Sequence, residues 1–313
     1  MSLLRSSTAL FLLSTLSFQA QAQQDLPEII VGCNDLDCPL DDTYQCHLDD
    51  TTYTDVGLAR IADTPSSLDG ISLLKAVHVA DADQINETGP DDTVPYRSAY
   101  YLGIPESIST EDISGCAVIF NDNPGQFDGD DAKSSVGDCM EVMEESCADA
   151  LVSRAAEIGD GNCDAFGREL RGNAIDECRD FAGEGKGLGN FTVVSLGGLN
   201  ELAGSQNGSS DCWPVTPKTD GLAFFDEEIV FSEFTDAEST NQLFKVTPIL
   251  TIFPGDDETS SAAQLTCLKA VEVIEDEDSE GGGGGDGDAG ALFSANILTL
   301  ASGLTASVLF AML

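Results

Sequence analysis

The chain has 313 residues, 56 of them acidic and 13 basic, for a formal net charge of −43 at pH 7. A surface this acidic repels phosphate backbones and anionic headgroups, which sets nucleic-acid binding aside, disfavours direct adsorption to an anionic leaflet and favours cations as partners. The ten cysteines, at positions 33, 38, 46, 116, 139, 147, 163, 178, 212 and 267, are an even set suited to pairing in an oxidising compartment.

In chain order, Arg5 precedes an apolar stretch from Ala9 to Phe18 that is too short to span a bilayer, and Ala20-Gln21-Ala22 supplies the small side chains a signal peptidase accepts. Residues 1–22 therefore read as a signal peptide. Residues 23–111 hold short apolar runs (Glu28 to Val31, Ile71 to Val79, Tyr96 to Ile104) between Asp, Thr, Gly and Pro clusters, a β-rich pattern. Residues 112–275 are expected to form an α+β part. Within it Cys139, Met140, Met143, Cys147, Leu151, Ala155 and Ile158 recur at helical steps. A second stripe, capped by Asp164, runs through Phe166, Leu170, Ala174, Cys178 and Phe181 to Gly183. Together they predict a helical hairpin over 137–182 with cysteines on its buried faces, Cys139 or Cys147 pairing with Cys178; Cys33, Cys38 and Cys46 are expected to supply a local bridge.

Strands are then expected at Phe191 to Leu196, Leu222 to Phe225, Ile229 to Phe234, Val246 to Phe253 and Leu265 to Ile274, with Pro248 at an edge or an end of its sheet. The predicted class is thus α+β and disulfide-rich, with β-strands before and after a central helical hairpin. Residues 276–290, acidic and glycine-rich, have nothing to bury and read as a stalk. Residues 291–313 end in the apolar run Ile297 to Leu313 with no basic residue beyond it, the layout of a signal for attaching glycosylphosphatidylinositol (GPI). Gly287 is the expected attachment residue.

Motifs that would carry chemistry are few. Asp122, Asp128, Asp130 and Asp131 offer oxygen ligands on one loop, a candidate low-affinity calcium site set against the plainer reading of a solvated acidic loop. Asp160-Gly161-Asn162-Cys163-Asp164 opens like a calcium loop but has Ala165 at the turn glycine and Arg171 at the bidentate glutamate. His47 and His78 stand apart from any zinc motif, no G-x-S-x-G elbow is present in the mature region, and Gly183-Glu184-Gly185-Lys186-Gly187 follows a predicted helix where a phosphate loop must precede one. No catalytic residue and no cofactor is assigned. Asn86, Asn190 and Asn207 begin N-glycosylation sequons, expected on the surface.

The signal, the cysteine-bearing body with Gly115-Cys116-Ala117-Val118-Ile119-Phe120 and the helical hairpin, the acidic stalk and the tail together resemble the cysteine-rich, GPI-anchored surface proteins of filamentous fungi. The resemblance implies residence on the outer face of the plasma membrane or in the cell wall, and it supplies no catalytic residues. The ten cysteines and their spacings depart from the eight-cysteine fungal domain used in haem capture, so that function is not implied. The expected function is a structural, adhesive or interaction role, with wall glycans or other surface proteins as partners and the membrane reached through the anchor. The alternatives are a wall-glycan hydrolase or transferase with a carboxylate pair, and a module binding cations or small ligands.

Overall fold

The computed structural model describes residues 46–48, 51–62, 64–80, 85, 89–122, 139–158, 162–202, 220–255 and 261–272. All of them belong to the compact unit that ends at Glu275. They form an α+β fold of four layers: a two-stranded ribbon, a five-stranded sheet, a four-stranded sheet and a helical layer.

The ribbon pairs β1 (Cys46–Leu48) with β2 (Thr51–Tyr53). The five-stranded sheet is antiparallel, with β3 (Asp55–Arg60), β4 (Ser72–Val79) and β5 (Thr93–Ile104) running consecutively, flanked by β11 (Val271–Glu272) on one edge and β8 (Gly221–Glu233) on the other. The four-stranded sheet has the order β10 (Ser261–Leu268), β9 (Thr247–Pro254), β6 (Cys116–Phe120), β7 (Phe191–Ser195). Side-chain alternation along each strand then assigns three cores. Leu73, Tyr100, Leu102, Ile119, Ile249 and Phe253 fill the space between the two sheets. Leu74, Ala76, Ala99 and Tyr101 point the other way, under Leu48 and Tyr53 of the ribbon. Val118, Phe120, Leu250, Ile252 and Leu265 face the helices.

The runs expected at Ile71 to Val79 and Tyr96 to Ile104 are β4 and β5. Two other expectations change. The strands predicted at Leu222 to Phe225 and Ile229 to Phe234 are one strand, β8, which passes through Asp226-Glu227-Glu228 with a bulge opposite Tyr100 and Tyr101. The run predicted from Leu265 to Ile274 is two strands, because the chain leaves the four-stranded sheet after Leu268 and joins the five-stranded sheet as β11. Pro248 lies at the start of β9, beyond the residues that pair with β6, where its missing N–H costs no ladder bond to that strand.

The helical layer also differs from expectation. The stripe that begins at Cys139 is a 3-10 turn at Cys139–Glu141 followed by α1 (Glu145–Ile158), which buries Cys147, Ala148, Leu151 and Ala155. The second helix, α2 (Cys163–Gly172), is capped by Asn162, whose side chain accepts from the Ala165 N–H at 3.0 Å, and not by Asp164. It stops at Gly172-Asn173 instead of continuing to Gly183; Cys178 sits in a separate 3-10 turn, Asp176–Cys178, and Phe181 beyond it. Four members of the expected stripe are buried, Phe166 at 3%, Leu170 at 4%, Cys178 at 1% and Phe181 at 8% exposure, but Ala174, just past the end of α2, is exposed, and two segments deliver the buried ones. A short helix, α3 (Asp236–Leu243), follows β8 and is capped by Thr235.

Three disulfides fasten this layer. Cys116 on β6 pairs with Cys163 at the start of α2, Cys139 with Cys267 on β10, and Cys147 on α1 with Cys178, with Cα separations of 5.5, 5.0 and 4.7 Å. Cys178 thus takes one of its two expected partners, and Cys139 goes to a strand far along the chain. Cys33, Cys38 and Cys212 lie outside the described residues, as does the Cys46 side chain.

Candidate functional site

Among the described residues, three places concentrate polar or exposed apolar groups. The first is closed. Lys75, on the inward face of β4, is fully buried, and its Nζ donates to the Lys245 carbonyl at 2.6 Å and to Thr247 Oγ1 at 3.0 Å. Tyr100 of β5 donates to the same Thr247 hydroxyl at 3.3 Å, while Lys245 Nζ reaches the Asn121 carbonyl at 2.7 Å and Glu228 of β8 at 3.3 Å. The bonds to Thr247 from β4 and β5 cross from one sheet to the other, and those between Lys245 and β4 and β8 reach the segment that leads into β9, so the cluster is a polar clamp at the end of the sandwich. Burial pushes the Lys75 amine down to about 7; Lys245 and Lys269 push the same way and Glu228 opposes them. Burial likewise raises Tyr100 well above a usual phenol and lifts the Asp226 carboxyl, with Glu227 and Glu228 adding to the latter. Displaced acids and bases of this kind often mark active sites. Here Lys75 and Tyr100 have no exposed surface, and the groups hold the sheets together.

The second place is the outer face of the five-stranded sheet. Tyr53 and Tyr101 share a hydroxyl hydrogen bond of 2.8 Å, and His78 lies edge-on to Tyr53 with centroids 4.9 Å apart. His78 is 8% exposed, and its Nδ1 has no hydrogen-bond partner among the described residues. Burial first, and the Arg97 guanidinium second, lower its pKa to about 4, so it is neutral at physiological pH. Arg97 in turn is paired with Glu227 at 2.5 Å. A neutral histidine packed on tyrosine is a core residue.

The third place is open. Where α1 begins, a groove of about 510 Å³ runs between the Cys139–Glu141 turn and the Asp176–Cys178 turn. Its buried lining residues are apolar: Met143, Phe181 and Cys147, the last bonded to Cys178. Met140 also lines it and is 45% exposed. The exposed charged lining residues are Glu144, Asp176, Glu177 and Asp180, with Arg179 as the single cation. Arg179 leans to Asp176 at 3.5 Å, and Asp180 accepts from the Gly185 N–H at 2.9 Å, which ties the groove to the glycine loop beyond it. Gly183, Gly185, Gly187 and Gly189 all have positive φ there; a Cβ on Gly189 would also stand 2.6 Å from Ala182 Cβ and 2.8 Å from Asp122 Cβ.

The residues singled out from sequence fall elsewhere. Asp122 is described, and its Oδ2 accepts from the Asn190 N–H at 3.0 Å and the Asn190 side-chain amide at 2.7 Å. Asp128, Asp130 and Asp131 lie outside the described residues, and among the described residues no group of three or more His, Cys, Asp or Glu is arranged to hold a metal. Asn190 is exposed immediately before β7; Asn86, Asn207 and Gly287 lie outside the described residues. The groove was missed in the sequence because its walls come from separated segments, although Met140 and Met143 were a signal: apart from Met1 and Met312 they are the chain's only methionines. Among the described residues no helix is long and apolar enough to cross a membrane. No protein-family model, curated protein or solved structure matches the chain.

Proposed function

We propose that the chain is an extracellular glycoprotein, carried to the outer face of the plasma membrane or wall on a GPI anchor, whose role there is interaction and not turnover. The delivery half draws on the segment order: Arg5 and the apolar Ala9 to Phe18, the Asn sequons, the acidic glycine-rich tract and the uncharged apolar end. Its likeness in layout to fungal wall-resident proteins supports the same address. One observation carries the interaction half, the open groove of about 510 Å³ with a buried apolar lining and charged flanks, since concave sites with a few placed polar groups are where proteins hold ligands.

The rival reading, a wall-glycan hydrolase or transferase, calls for a raised carboxyl in a cleft flanked by aromatic platforms. Asp226 has a raised carboxyl, but it pairs opposite Tyr100 on the inward side of β8 and does not line the groove. A calcium module centred on Asp122 would compete with the two hydrogen bonds Asp122 accepts from Asn190.

The delivery half is tested by expressing the full chain in a fungal host and treating intact cells with phosphatidylinositol-specific phospholipase. Release into the medium, with residues 291–313 absent from the released polypeptide, is the expected result. Recovery of a polypeptide that still carries Leu313, or one that resists the enzyme and bears no lipid, overturns it.

A further inference from the structure

We infer that the groove beside the Cys147–Cys178 bridge binds a lysine-bearing, amphipathic peptide segment of a partner protein, the aliphatic stem lying on Met140, Met143 and Phe181 and the ammonium reaching the carboxylates at the edge. The inference rests on the interaction reading above and is independent of the anchor. Two features select this occupant. Four carboxylates line the groove against one guanidinium, so an anionic or neutral ligand would leave that field uncompensated. The chain already shows the edge meeting a cation, since Arg179 approaches Asp176 at 3.5 Å.

The lining answers the other half of such a ligand. A lysine side chain buries its methylene stem on apolar surface and keeps its charge in water. Here the apolar part is buried or half-exposed and the charged part exposed, the same division in reverse. Methionine suits the task because its unbranched, polarisable side chain adapts to different partners. The floor beneath is stiff: Cys147 is pinned to Cys178, and Phe181 packs edge-on against Phe120 of the sheet with centroids 5.8 Å apart. The site is therefore a firm base that includes the buried Met143, with Met140, 45% exposed, as the adaptable side chain on top.

The whole surface is acidic, so cationic peptides will also collect on it without specificity, and the test must locate binding. Full-length protein carrying isotope-labelled methionine methyl groups is titrated with a short soluble peptide of alternating lysine and leucine. Two control peptides replace lysine by glutamate or leucine by serine. The expected result is a saturable shift of the Met140 and Met143 methyl signals. Affinity should be roughly tenfold lower for each control peptide, and lowered roughly threefold or more in the Glu144→Gln/Glu177→Gln variant. A thermal midpoint of that variant equal to wild type shows that the loss is not unfolding; if the midpoint falls, Met140→Ser, at an exposed position, replaces it as the test, with the Met143 methyl as reporter. The inference is overturned if both methyl signals stay fixed while other resonances move, if the glutamate peptide binds as well as the lysine one, or if both variants bind undiminished. Because no arm depends on lipid attachment, failure here and failure of phospholipase release are read separately.

Discussion

Among the described residues, Lys75 sits in an environment that strongly opposes its chemistry. A buried amine surrounded by Lys245 and Lys269 and faced by Glu228 is held near neutrality, about 7 against an ordinary 10.5. The unfolded chain binds a proton at Lys75 more readily than the folded one between those values, so this group makes stability fall as pH is lowered from 10.5 to 7, with the deficit constant below. Over the window the cost is at most about 5 kcal/mol. Lys75→Met removes the titrating group while leaving Thr247 Oγ1 and the Lys245 carbonyl without that donor, a loss of about 1–3 kcal/mol. We therefore predict that urea midpoints of the wild type rise between pH 7 and 9.5, below the raised tyrosines, and that those of Lys75→Met are flatter. Parallel profiles for the two proteins would refute the assignment. His78 acts at the acid end. Its lowered pKa means that stability is lost as pH falls from 6.5 to about 4, and His78→Phe should recover roughly 2 kcal/mol at pH 4 relative to its effect at pH 7.5. An unchanged difference between the two proteins across that range would contradict it.

At the scale of elements, the three disulfides among the described residues all hold the helical layer: Cys116–Cys163 and Cys139–Cys267 tie it to the four-stranded sheet, and Cys147–Cys178 joins two of its own segments. That layer needs them. α2 is 10 residues long and α1 is 14, short for helices that must stand on a single buried stripe. Closing the loop between Cys147 and Cys178, a separation of 31 residues, contributes about 4 kcal/mol on the chain-entropy model. Cys147→Ser/Cys178→Ser should therefore lower the unfolding free energy by about 3–4 kcal/mol and speed amide exchange in α1 while β4 and β5 stay protected. Equal acceleration in β4 would mean that the layer and the sheets are one cooperative unit. The same elements show what could be read in advance. Ile71 to Val79 and Tyr96 to Ile104 declare themselves as strands through β-branched and aromatic runs, because a buried central strand needs little else. Asp226-Glu227-Glu228 looked like a break between two strands because the cations facing it are remote: Arg97 is 130 residues from Glu227 and Lys245 is 17 from Glu228. Likewise Phe166, Leu170, Cys178 and Phe181 were legible as buried, but Gly172-Asn173 interrupts the helix and Ala174 is left exposed. A 3-10 turn can place Cys178 on the same face that a continuous helix would. The groove was missed for a related reason, since Met140 and Phe181 line it from separate segments that the Cys147–Cys178 bridge joins.

For the whole molecule the dominant quantity is charge. With 56 acidic residues against 13 basic, with Lys75 and Lys245 drawn into the clamp and Lys269 buried, few cations are left to offset the surface carboxylates. Self-repulsion of this kind keeps a protein soluble and apart from its copies, and it also destabilises the compact state, because unfolding lets the charges separate. The penalty is long-ranged and hence screened by ordinary salt: the Debye length falls from about 30 Å at 0.01 M to about 8 Å at 0.15 M, the first comparable to a domain and the second shorter than one. The thermal midpoint should accordingly rise by several degrees between 0.01 and 0.15 M sodium chloride, most of the gain arriving below 0.1 M, equivalent to roughly 1–2 kcal/mol. Potassium chloride should do the same, since screening ignores the identity of the cation. Calcium at equal ionic strength separates screening from a specific site: screening alone gives coincident midpoints, whereas occupancy by a ligating carboxylate cluster gives an additional rise that saturates with calcium concentration. A midpoint indifferent to sodium chloride would mean that the acidic side chains are already neutralised in pairs, which the small number of basic residues makes arithmetically impossible for most of them, or that repulsion persists equally in the unfolded chain.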